Sequence, residues 1–221
     1  MGKKESNWPE IVISSGDNKT VQSIRRAAKA GILHKIAPKI YSSNFLDNPE
    51  EIIKRHRYQI LGVLFPNAVI SHRSALDGGI SPDGTVILTY TYTKNVELPG
   101  LTIKLLKGPG PDANDTPFLE KLYISSRARA FLENITKSRQ REGFIKTVSR
   151  SAIEERLDRM ARIYGEEELN HLRDQAREVA LRLDMKEEFA ILDKLIGSFL
   201  GTQLEFEQET AIGRARASGE P

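Results

Sequence analysis

Between Lys19 and Tyr41 the chain places Lys19, Arg25, Arg26, Lys29, Lys35 and Lys39 within 23 residues, without one Asp or Glu. Cations gathered without counter-charge have the chemistry of polyanion contact, because each can neutralise a phosphate and release the counterion held there. Arginine adds a planar fork that matches a phosphate or a guanine edge, and Gln22, lying among the cations, has the donor–acceptor pair that reads adenine. At about 100° per residue, Gln22, Arg25, Arg26 and Lys29 share the helix face opposite Val21, Ile24 and Ala28. A single Lys or Arg is more often solvated charge than a ligand. Six of them with no carboxylate are harder to dismiss.

Asp17-Asn18-Lys19-Thr20 offers the capping chemistry that starts such a helix, and Gly31 is the residue type that ends one. Ile32–Tyr41 then alternates apolar and polar residues around Pro38, which predicts a tight β-hairpin carrying Lys35 and Lys39. A helix followed at once by a hairpin is the second half of a winged helix, in which the helix enters the major groove and the hairpin lies along the backbone. The expected nucleic-acid-binding residues are therefore Lys19, Gln22, Arg25, Arg26, Lys29, Lys35 and Lys39. Residues 1–16, with a Pro and a short strand at Ile11–Ser14, leave no room for the two helices that normally precede. The module is either truncated or completed by a partner or a later part of the chain.

Ser71-His72-Arg73-Ser74 sets a hydroxyl beside an imidazole. Neighbours on one helix project about 100° apart, so His72 is not expected to serve Ser71 as a base. A short helix capped by Ser71, with one exposed cation, is the expectation. A metal-free hydrolase or nuclease centred on His72, Arg73 and Asp83 has only residue types in its favour and ranks last. The remaining histidines, His34, His56 and His171, are isolated, and there is no cysteine, so no metal-ligand spacing exists. The prolines of Lys107-Gly-Pro-Gly-Pro111 remove the amides a phosphate loop needs. Glu155/Arg159 and Asp158/Arg162 stand at the spacing of ion pairs on a solvated helix face. No catalytic residue, cofactor or metal is assigned.

The elements that must position these residues read as an α/β (α+β) chain. Asn48-Pro49-Glu50-Glu51 starts a helix that must stop before Pro66, and Ala68–Ile70 and Thr85–Thr93 read as strands. Asn95–Leu98 and Leu101–Leu106 flank Pro99-Gly100 as a hairpin, and Leu122–Ile124 is a last strand before a helix capped by Ser125 or Ser126. From residue 149 the period is helical. Ser151-Ala-Ile-Glu154 reads as a capping box, followed by three amphipathic stripes. The expected domains are a winged-helix-like segment (1–46), an α/β domain with a small antiparallel or mixed sheet (47–148), a helical bundle (149–201) and a polar tail (202–221). The 221 residues carry 33 Lys/Arg against 30 Asp/Glu, split unevenly: +9 over residues 1–150 and −6 over 151–221. That asymmetry predicts two parts with different partners. Without an apolar run of membrane length, or cysteine, a cytoplasmic protein is expected.

Four strings carry a resemblance. They are Ala27–Tyr41, Phe65–Leu76 with its Ser71-His72-Arg73-Ser74 motif, Leu98-Pro99-Gly100-Leu101, and Ser125–Asn134. They resemble the winged-helix-like region of AbiEi-type antitoxins, the type IV toxin–antitoxin transcriptional regulators. Still more closely they resemble the region that precedes the catalytic domain in a subgroup of Fic proteins, the AMP-transferases. The likeness continues through Glu154–Leu157, Arg173–Arg177 and Leu195–Thr202. The H-x-F-x-[DE]-G-N-G-R stretch of a Fic active site is absent from these residues, so the resemblance implies a non-catalytic regulator or targeting module. Its implied partners are double-stranded DNA, a toxin or Fic-type catalytic domain in cis or in trans, and a second copy of the chain. The alternative is a protein-interaction domain that positions or inhibits a Fic transferase without touching DNA. Ser138-Arg-Gln-Arg-Glu142-Gly143 fits the inhibitory string of some Fic proteins, but such a string arises by chance about 0.2 times in a chain of this length, so nothing is assigned to it.

Overall fold

The structure is a computed structural model and describes residues 8–119, 121–135 and 146–200. Two units divide the chain, Met1–Ser125 with mixed helix and strand and Ser126–Pro221 with helix. The class is α+β, with one small antiparallel sheet and one mixed sheet.

The first unit opens with β1 (Ile11–Ile13) and α1 (Asn18–Lys29). Asp17 caps α1 by accepting the Thr20 N–H at 2.7 Å, and the chain leaves the helix through Gly31 at φ 69, where glycine needs no Cβ clearance. β2 (His34–Ala37) and β3 (Ile40–Ser42) form the expected hairpin, and β3 also pairs antiparallel with β1, giving the order β1-β3-β2. Alternation along the strands divides the two faces. Val12 joins Ile24, Ala27 and Leu33 on the α1 side, with Trp8, Ala28 and Tyr41 packed against them. Ile11, Ile36, Ala37 and Ile40 join the other core, which contains Ile52, Ile53, Ile60 and Leu61 of α2 (Pro49–Leu64). α2 thus packs on the face of the small sheet opposite α1.

α2 starts as its sequence predicts, with Asn48 accepting the Glu51 N–H at 2.9 Å and Pro49 in the first turn, and it ends at Leu64 ahead of Pro66. Glu10 ties the entry of β1 to this helix through Arg55 at 2.5 Å and His56 at 2.7 Å, and it accepts from Asn44 at 2.7 Å. These bonds hold the Glu10 carboxyl down at about 2, Asn44 contributing most, then His56 and Arg55.

β4 (Val69–Ile70), α3 (His72–Leu76), β5 (Thr85–Tyr90), β6 (Lys94–Leu98), β7 (Leu101–Lys107), β8 (Thr116–Phe118) and β9 (Leu122–Ile124) complete the unit. Their sheet has the order β6-β7-β5-β4-β9-β8, with β5/β7 and β4/β9 parallel and the other neighbours antiparallel. β5 ends at Tyr90, short of the expected Thr93, because the chain turns there into the β6–β7 hairpin. β8 has no strand signature in the sequence, since Pro117 sits in its centre. It survives as an edge strand, where a missing N–H can face outward.

The second unit contains α4 (Arg127–Ile135), α5 (Arg150–Tyr164), α6 (Glu166–Leu183) and α7, residues 186–200. α4 packs on α6 and is buried from Ala128 to Asn134, including the ion pair of Arg129 with Glu133 at 2.8 Å. Ser126 accepts the Arg129 N–H at 3.3 Å, as a cap there should. The expected Ser151/Glu154 box is not made. Ser149 accepts the Ala152 N–H at 3.2 Å, while Glu154 pairs with Arg150 at 2.8 Å, because the helix begins one residue before Ser151. The division at Ser125/Ser126 also differs from the boundaries expected at 46 and 148. Residues before 46 share a core with α2 and the larger sheet, and α4 belongs with the later helices. The 202–221 tail and the Ser138–Gly143 string lie outside the described residues. Among the described residues no helix is long and apolar enough to cross a membrane.

Candidate functional site

All seven residues expected to touch nucleic acid, Lys19, Gln22, Arg25, Arg26, Lys29, Lys35 and Lys39, are exposed. With Ile24 and Ala27 turned into the core, helical geometry puts the five on α1 along an outward arc of about 120°. None of the six cations forms an ion pair among the described residues. Among the described residues lysines elsewhere, such as Lys54, Lys94 and Lys107, likewise form no ion pair, but most arginines do. Arg55, Arg73, Arg127, Arg150, Arg159, Arg162, Arg173 and Arg177 each have a carboxylate within 3.1 Å. Asp17, the nearest acid to α1, spends its charge on the Thr20 backbone and is held below the usual carboxylate range by that bond.

Arg25, Lys35 and Lys39 converge. Together with Val21, Tyr41 and the Ser14-Ser15-Gly16 segment they line a cleft of about 430 Å³ between α1 and the hairpin. A register shift brings Lys35 there. Around the two-residue turn Pro38-Lys39, a regular ladder would set Lys35 opposite Ser42, whose face is buried. The ladder instead slips between Lys35 and Ala37, so Lys35 pairs with Tyr41 and shares its α1-facing side. Ile36 is then free to enter the core at 8 % exposure. Lys39 stands in the turn at φ 67, a left-handed conformation that costs a non-glycine residue about 1–2 kcal/mol. The Ser14 N–H donates to the Lys39 carbonyl at 2.7 Å and holds the turn against the start of the cleft. Tyr41, Ser14 and Ser15 were not among the residues the sequence singled out. Alternation around Pro38 hides Tyr41's role, because the slip at Ile36 decides which face it shares with a cation.

The Ser71-His72-Arg73-Ser74 motif does something else. Ser71 stands at the N-cap position of α3, as expected, but its hydroxyl makes no capping bond. It is fully buried, accepts the Thr89 hydroxyl at 2.8 Å and lies 3.0 Å from Nδ1 of His72. The expectation that adjacent residues cannot meet is overturned, because they do not sit on one helix. Ser71 is extended (φ −140°, ψ 178°) and His72 takes φ 51, which folds the imidazole back over its neighbour. The Ser74 hydroxyl accepts the Ile87 N–H at 3.0 Å, so the motif's two serines bind α3 to β5. A nucleophile with no exposure cannot reach a substrate. Arg73 pairs with Asp77 at 2.8 Å, and Asp83 is bound within its own turn to Ser81 and Thr85, so His72, Arg73 and Asp83 are each engaged separately. Among the described residues no cluster of His, Asp and Glu could hold a metal ion.

Comparison with protein-family models, curated proteins and solved structures finds no match to the chain.

Proposed function

We propose that the first unit is a non-catalytic nucleic-acid-binding module that works as a regulator on double-stranded DNA. Gln22, Arg26 and Lys29, on the outward arc of α1, face base edges and adjoining phosphates. Lys35 and Lys39 follow the backbone from the hairpin. The observation that carries this reading is the set of six exposed cations without a carboxylate partner among the described residues, on a helix and hairpin that share one small core. Cations already matched to carboxylates release little when a polyanion arrives, whereas free ones exchange their water and anions for phosphate. Further support comes from the likeness to AbiEi-type regulators and to the region ahead of the Fic catalytic domain, which suits a regulatory module acting with a toxin or a transferase.

The test is fluorescence anisotropy of a labelled duplex with the full chain, titrated between about 50 and 200 mM salt. Affinity falls with a log–log slope of about −0.9 per phosphate engaged, so near −4 to −5 if most of the cations take part. Arg25→Glu with Arg26→Glu removes most of the binding. Tight binding that ignores salt or the double reversal overturns the reading.

A further inference from the structure

We infer that the cleft between α1 and the hairpin binds the phosphate chain of a nucleoside di- or triphosphate, and that this ligand competes with the duplex. The competition rests on the nucleic-acid reading above; the ligand site stands without it. Lys19, Arg26 and Lys29 protrude and serve duplex contact alone. Arg25, Lys35 and Lys39, which the duplex also meets, in addition surround a concavity of about 430 Å³, inside the range of about 300–1,000 Å³ typical of small-molecule sites. Among the described residues no carboxylate lines it, and none of the three cations has an ion pair. Three positive charges around one hollow repel one another. A single phosphodiester offsets one of them, while a di- or triphosphate carries enough charge, closely spaced, to offset all three.

The rest of the lining suits the remainder of a nucleotide. Tyr41 and Val21 give an aromatic and an aliphatic wall for a base, and Ser14 and Ser15 bring hydroxyls for a ribose or an outer phosphate. Gly16 leaves open space, with nothing within 4 Å of where a Cβ would stand. Lys39 adds a separate sign. At φ 67 its backbone would be more comfortable as glycine, yet the turn holds an amine at the rim of the hollow.

The experiment is calorimetric titration of the full chain with ADP, ATP and inorganic pyrophosphate in metal-free, low-salt buffer, without nucleic acid. ADP and ATP bind, and the affinity drops by about tenfold or more for Arg25→Ala and for Lys39→Gly, each of which removes one charge-assisted contact. Lys39→Gly keeps the test decisive, since glycine suits the turn and the variant folds. Arg26→Gln, outside the hollow, weakens duplex binding but lowers ADP affinity far less than Arg25→Ala or Lys39→Gly does. Added ADP then releases labelled duplex from the wild-type chain. Absence of binding at millimolar nucleotide, or affinity indifferent to Arg25→Ala and Lys39→Gly, overturns the site. Pyrophosphate binding as tightly as ADP, with Tyr41→Ala affecting neither, overturns the nucleoside half. ADP binding with no effect on bound duplex overturns the competition; ADP binding in a chain that binds no duplex removes only the nucleic-acid reading.

Discussion

Replacing Lys39 with glycine separates what its position costs from what its charge does. The residue sits at φ 67, and a side chain there carries about 1–2 kcal/mol of strain that glycine does not. Against that gain, glycine gives the unfolded chain extra freedom worth about 0.5–1 kcal/mol. Lys39 is exposed and has no ion pair among the described residues, so no packing or electrostatic loss is added. The net expectation is a folded state more stable by about 0.5–1 kcal/mol, together with weaker duplex and nucleotide binding. Trp8 is the single tryptophan and packs on the core shared by α1 and the small sheet, so its fluorescence in urea reports this layer. With a urea dependence of about 1–3 kcal/mol per molar, the midpoint rises by about 0.2–1 M. Lys39→Ala keeps the strain and loses the charge, so its midpoint stays near wild type while binding falls. A glycine variant destabilised by about 1 kcal/mol or more would refute the reasoning, because the Lys39 side chain would then be supporting the fold instead of waiting for an anion.

Other outcomes follow from the same geometry. Glu133→Ala removes the carboxylate that lies 2.8 Å from the fully buried Arg129 guanidinium and destabilises the helical unit by about 2 kcal/mol or more in thermal unfolding followed by circular dichroism, with Arg129→Met in the same chain recovering part of it. The Glu10 carboxyl, held down at about 2, stabilises the fold above its ordinary value of 4.5 and loses that contribution as pH falls from 4.5 toward 2. At 30 % side-chain exposure the contribution is screened to about 1–2 kcal/mol, and Glu10→Gln flattens the acid limb of a stability–pH curve read at Trp8. Gly79→Ala both forces a side chain onto φ 119 and sets its Cβ 2.5 Å from the Tyr58 hydroxyl, costing about 2 kcal/mol or more. Adding Tyr58→Phe recovers part of that in a double-mutant cycle, since the next ring atom is 3.6 Å away.

Much of the fold was legible because local chemistry and tertiary packing agree. Asp17 and Asn48 cap their helices, Gly31 ends one, and the Pro99-Gly100 hairpin pairs as its alternation predicts. Signals failed where a residue's partner is remote. The Ser151/Glu154 box lost to Ser149 and Arg150, two equally suitable neighbours a residue or more earlier. Ser71 had the type of a cap, but Thr89, eighteen positions away, claims its hydroxyl, and the positive φ of His72 brings the imidazole to it in a way helical spacing forbids. β8 could not be read because its strand character comes from β9 alone. At the candidate site the cations were visible from their lack of acids. The hollow was not, because it depends on a one-residue slip at Ile36 that no periodicity records.

The salt dependence of duplex binding tests the central claim most directly. For the wild-type chain the log–log slope is near −4 to −5, and it shrinks by about 0.9 for each of Lys19→Ala, Arg26→Ala and Lys29→Ala made on the outward arc of α1. A slope near zero, or one that these substitutions leave untouched, would contradict the account and move the nucleic-acid contact off α1.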